Sequence, residues 1–196
     1  MKRKAKSGFI ATIVALSAIT LPTISYADLE DEAAFWTSGF PSSIISHIDY
    51  WEQSTIASLG YDYYTANSRA DWALLPNSDV AYYKTTSQAD ADLRFFAGDY
   101  GSDYWGFTKA YLSNGTEVIN VEDGSVWYKC QILLNDGQMD RDNFTNSNRH
   151  HTTLHEVGHA LSLAHQFAPT DSAMKQGQLT YTDPTSLDSS NIQWKY

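Results

Sequence analysis

The run His155-Glu156-Val157-Gly158-His159-Ala160-Leu161-Ser162-Leu163-Ala164-His165 constrains this chain more than any other feature. Residues four apart share one face of a helix, so the imidazoles of His155 and His159 can converge on one ion. Were that helix to continue, His165 would lie about 15 Å along the axis from His155. Nitrogens bound to one tetrahedral zinc sit roughly 3–4 Å apart. The helix must therefore stop near Leu161-Ser162 and the chain fold back for His165 to join the other two.

Three neutral imidazoles leave one corner of a tetrahedral ion open, the arrangement of a catalytic zinc rather than a closed structural one. Glu156, next to the first candidate ligand, is placed to take a proton from water at such a site. The chemistry implied is metal-assisted hydrolysis.

The segment HEVGHALSLAH resembles the HExxHxxGxxH signature of the metzincin metallopeptidases, with Ser162 where that family has glycine. Nine residues past His165, Asp171-Ser172-Ala173-Met174-Lys175 is similar to the metzincin Met-turn, and 188–196 to the C-terminal helix of matrixin domains. The resemblance implies a secreted zinc endopeptidase with His155, His159 and His165 as ligands, Glu156 as general base and Met174 as an apolar floor beneath them. It also implies an α+β zincin domain: a twisted mixed sheet, a long backing helix, an active-site helix and a short C-terminal helix. In that family an antiparallel edge strand binds substrate as an added strand, and 128–134 is the segment the resemblance assigns to it.

Departures from the pattern carry expectations of their own. No cysteine precedes the domain to cap the metal, so latency would fall to the acidic segment 28–41 or to another protein. No histidine lies between His47 and His150, so the second, structural zinc of matrixins is expected to be missing.

Lys2, Arg3, Lys4 and Lys6 precede an apolar run from Gly8 to Leu21, and Ser25-Tyr26-Ala27 offers small residues for a signal peptidase. The apolar run is shorter than the roughly 20 residues of a membrane span. Residues 1–27 thus read as a signal peptide and 28–196 as a single exported domain with no membrane attachment. Losing four positive charges moves the net charge from −10 to −14, which argues against nucleic-acid binding. The one cysteine, Cys130, forbids an intrachain disulfide and reads as a buried strand thiol. A lysine-rich signal without disulfides fits an extracellular bacterial protein, expected to be a monomer acting on polypeptides. Acidic turns at Asp99, Asp103, Glu122, Asp123 and Asp136 are candidate calcium ligands; the alternative is that they are solvated.

Along the chain, alternation over 43–51 predicts a strand, with His47 on its face. Ser54 to Leu75 carries apolar residues at helical spacing and predicts one helix, interrupted in pattern only by Gly60. Short strands are expected at 79–84 and 91–97. Glu117–Val121 and Ser125–Leu134, flanking Glu122-Asp123-Gly124, predict a hairpin. His150 and His151, just ahead of the expected helix, read as surface residues, the alternative being that they support the metal ligands from behind. Two competing functions remain at this point: another HExxH hydrolase with a downstream acid as third ligand, and a secreted zinc-binding module without catalysis.

Overall fold

The computed structural model describes residues 32–167 and 171–196. The expected signal peptide lies outside the described residues, as does the start of the acidic segment. The fold is α+β. Five strands form one mixed sheet in the order β2-β1-β3-β5-β4. They are β1 (Ile48–Glu52), β2 (Tyr82–Lys84), β3 (Leu93–Gly98), β4 (Gly106–Tyr111) and β5 (Lys129–Asn135). All neighbours run parallel except β4, which lies antiparallel to β5 and closes one edge. Helices are α1 (Ser42–Ile45), α2 (Ser54–Ser58), α3 (Asp62–Ala73), α4 (Asp136–Arg141), α5 (Asn146–Ala160) and α6 (Ser186–Lys195). None is long and apolar enough to cross a membrane among the described residues.

Period-two burial in β3 and β5 turns Leu93, Phe95, Ala97, Cys130, Ile132 and Leu134 into the core. Against this sheet pack α5, on β4 and β5, and α2, on β3, while α3 packs on α5. Thr145 caps α5 through a reciprocal box: its Oγ1 accepts Asn148 N–H and Asn148 Oδ1 accepts Thr145 N–H. Trp72, on α3, is fully buried, and its Nε1–H donates to Leu154 O of α5 at 3.1 Å. Cys130 is buried in β5 as expected, and burial pushes its thiol pKa up.

Several expectations are corrected. The predicted strand 43–51 is two elements, α1 and β1, with His47 in the turn between them, stacked on Tyr83. The predicted helix 54–75 is split: Gly60 takes φ +78° and separates α2 from α3. That left-handed conformation is open to glycine at no steric cost. The predicted hairpin does not form: 117–118 pair with β4, 129–135 with β3 and β4, and the N-terminal segment takes the hydrogen bonds beside the turn. Ser38 N–H donates to Val121 O, Gly39 N–H to Ser125 O, and Trp127 N–H to Gly39 O. Residues 128–134 do not form a free edge either. β5 is paired on both sides, to β3 and β4, and the edge belongs to β4, a half-polar stretch that the hydrophobic pattern leaves unmarked.

Trp72→Ala is expected to lower unfolding free energy by about 3–5 kcal/mol. Trp72→Phe, which keeps most of the ring and loses the bond to Leu154, should cost about 1–2 kcal/mol. Urea unfolding followed by circular dichroism measures both.

Candidate metal centre

His155 and His159 are buried on the same face of α5, one turn apart. The helix ends at Leu161, and Ser162 takes φ +61°, the left-handed conformation that the sequence required of a glycine-like position. Serine holds it because its surroundings engage the side chain. Lys195 Nζ donates to Ser162 Oγ at 2.7 Å, Ser162 Oγ lies 3.0 Å from Tyr196 Oη, and Tyr196 Oη donates to Leu161 O at 3.2 Å. The main chain is held as well: Trp36 N–H donates to Ser162 O, and Ala164 N–H to Ala34 O.

This reversal brings His165 back to the helix. His159 Nε2 and His165 Nε2 are 3.0 Å apart, and one ring nitrogen from each of the three histidines lies within 4.8 Å of the others. No other group of three potential ligands gathers in this way among the described residues. The carboxylates weighed for calcium are dispersed. Asp99 pairs with Arg141 and Asp136 with Arg149, while Glu122 and Asp123 accept from Thr37 N–H and Ser38 Oγ–H.

Main-chain carbonyls set the tautomers. A carbonyl only accepts, so His155 Nδ1 donates to Ala173 O at 2.9 Å and His159 Nδ1 to Leu163 O at 2.8 Å. Each ring therefore presents an unprotonated Nε2 to the space between them. Burial, joined for His159 by the nearby His155 and His165, holds the three imidazoles below their ordinary range, His155 at about 3. Three neutral imidazoles, two of them with preset lone pairs, fit a zinc ion.

Met174 is fully buried with its sulfur against Gly158 of α5. A Cβ on that glycine would sit 2.4 Å from Met174 Sδ and 3.0 Å from Trp72 Cζ2. Asp188 of α6, wholly buried, fixes this turn: its carboxylate accepts Ser172 Oγ–H and Ala173 N–H as well as the Thr185 cap. Ala173 in turn supplies the carbonyl for His155.

Glu156 lies alongside, 5% exposed, and burial raises its pKa to about 7, with Thr108 pulling the other way. A cavity of about 450 Å³ opens over the cluster. Its walls include Trp36, Trp105, Gly106, Thr108, His151 and Lys175, besides the three histidines and Glu156. Trp36 stacks on His159, with centroids 4.5 Å apart and planes 13° from parallel. Neither Trp36 nor β4 carried any signal in the sequence pattern. His150 and His151, expected at the surface, are both buried. His150 packs against Tyr63 and Tyr64, and His151 lines the cavity with its pKa lowered by burial to about 4. The helix begins at Asn146, so both fall in its interior turns rather than ahead of it.

No protein-family profile matches the sequence, and no curated protein matches it. Among solved structures, one similar chain is described as "GM1 bound form of the ECX AB5 holotoxin". It is 13% identical, with 79% of this chain and 82% of that chain covered and a TM-score of 0.46.

Burial lowers the Lys195 pKa to about 8, below the roughly 10.4 of an unfolded chain. Between those values the unfolded state binds more protons, so this group adds stability as pH rises through that window, and below pH 8 its full burial penalty is present. Wild-type protein should therefore gain stability relative to Lys195→Met between about pH 8 and 10. Thermal unfolding across that range reads the difference.

Proposed function

We propose that residues 28–196 form a secreted zinc-dependent endopeptidase of the metzincin type, with His155, His159 and His165 as ligands and Glu156 as general base. The observation that carries this reading is the convergence of three imidazoles, two of them oriented by main-chain carbonyls, beside a buried carboxylate, all in the wall of one open cavity. When bound, zinc supplies a Lewis acid that polarises a carbonyl and brings the pKa of water toward neutrality.

The chain's own groups account for the rest. Glu156 takes a proton from the attacking water and returns it to the departing amine. The β4 edge beside the cavity, where Gly106, Phe107 and Thr108 line the wall, is suited to an extended peptide. Unpaired N–H and C=O groups on an edge strand accept a further strand readily. Trp36, Tyr104, Trp105 and Phe107 supply apolar and aromatic surface against its side chains. Asp188 acts on His155 through Ala173, and Met174 packs against Gly158 of the same helix. Polypeptide is thus the substrate class, and the competing downstream-acid ligand is disfavoured by His165 lying within ligand distance of its partners.

Two variants test this. Glu156→Gln should hydrolyse casein at least about 100-fold more slowly while still binding one zinc per chain. His165→Ala should lose most of its zinc, read by elemental analysis. Casein hydrolysis equal to wild type in Glu156→Gln would refute the mechanism. Undiminished zinc in His165→Ala would hand the third position to an acid.

A further inference from the structure

Glu156 is held from the edge strand, not from its own helix. Gly106, Thr108 and Ala110 of β4 alternate with Phe107 and Lys109, so the first three share the face turned to α5. Thr108 Oγ1 lies 2.7 Å from Glu156 Oε2 and 3.0 Å from Glu156 O. A threonine hydroxyl has one hydrogen, and an ionised carboxylate is the stronger acceptor of the two. Two residues earlier, a Cβ on Gly106 would stand 2.7 Å from both Glu156 Cγ and Oε1, and 2.8 Å from Thr152 Cγ2. Only a glycine leaves that side of the carboxylate room. Thr108 is the one side-chain hydrogen-bond partner of the Glu156 carboxylate among the described residues, and it takes Oε2, leaving Oε1 unbonded on a residue that lines the cavity.

We propose that Thr108 is the positioning residue of the general base, anchoring Glu156 Oε2 so that Oε1 is the oxygen that carries the proton. The inference rests on the endopeptidase reading and adds an atom-level division of labour to it. As the water oxygen bonds to the scissile carbonyl carbon, one of its hydrogens passes to Oε1. The same hydrogen moves from Oε1 to the amide nitrogen as the C–N bond breaks. One water is consumed, the carboxylate is regenerated, and the Thr108 hydroxyl keeps its hydrogen throughout. Holding the carboxylate in one rotamer from the strand that also receives substrate keeps Oε1 in register with the bound peptide, and a misplacement of about 1 Å can cost about 100-fold in rate.

The test compares wild type, Thr108→Val, Thr108→Ser and Glu156→Gln on fluorescein-labelled casein, with zinc per chain and thermal unfolding measured for each. Valine keeps the shape and removes the hydroxyl; serine restores it. Thr108→Val should lower kcat about 10-fold or more with KM within about twofold, the signature of an interaction needed in the transition state and not for binding. Thr108→Ser should return kcat to within about threefold of wild type, and all variants should hold one zinc. Wild-type kcat in Thr108→Val overturns the proposal. So does an equal loss in Thr108→Ser, or a loss confined to KM or zinc content, each of which marks a structural clamp between β4 and α5. Should the valine variant fail to fold, Thr108→Ala against Thr108→Ser carries the same comparison. Hydrolysis by Glu156→Gln equal to wild type overturns the endopeptidase reading itself, and this inference with it. Loss in Glu156→Gln with none in Thr108→Val overturns the positioning role alone.

Discussion

The reversal of the chain at Ser162 is the constraint on which the rest of the site depends. A straight helix carries two of the three histidines, and no side-chain adjustment spans the distance to the third. Ser162 accepts a left-handed conformation that costs a residue with a Cβ about 1–2 kcal/mol. Its hydroxyl is held by Lys195 and Tyr196 from the C-terminal helix, and its carbonyl by Trp36 from the N-terminal segment. Net contributions of about 0.5–1.5 kcal/mol for each such bond are enough to offset the strain. Both ends of the described chain thus converge on one turn, and Trp36 of the N-terminal segment forms part of the cavity wall.

A second layer supports the first from below. Asp188 ties α6 to the turn at Ser172 and Ala173, Ala173 orients His155, and Met174 fills the space that Gly158 leaves open against Trp72. Each contact joins elements far apart in sequence. Position and tautomer of the imidazoles are therefore properties of α5, α6 and α3 together. On the opposite wall β4 does the same for Glu156 through Gly106 and Thr108.

Local patterns were legible wherever local physics decided the outcome. The spacing of His155, His159 and His165 demanded a helix and then a break, and the break is where the spacing put it. The buried thiol of Cys130 and strands close to the expected 91–97 and 125–134 follow from periodicity and apolar runs, while the C-terminal helix was expected from the family resemblance alone. Reading failed where a distant segment won a competition. Asp123-Gly124 is a sound turn signal, yet the segments it should join pair elsewhere: 129–135 with β3 and β4, 117–118 with β4, and the residues beside the turn with 38–39. Gly60 was visible as a weak point, but whether it bends or breaks a helix depends on what packs either side. His150 and His151 looked polar enough for the surface, and only the approach of α3 and the loop through Tyr181 buries them.

The sequence by itself determined the chemistry: which nitrogens can meet, that the helix must stop for them to do so, and that a carboxylate stands beside the first. Those facts follow from bond lengths and helix rise, which no tertiary context alters. Only the tertiary structure decided which strand forms the free edge, which oxygen of Glu156 is anchored, and what holds a serine in a conformation suited to glycine. Each of these is a contact between residues dozens of positions apart, and its free energy depends on burial and geometry that local pattern does not encode.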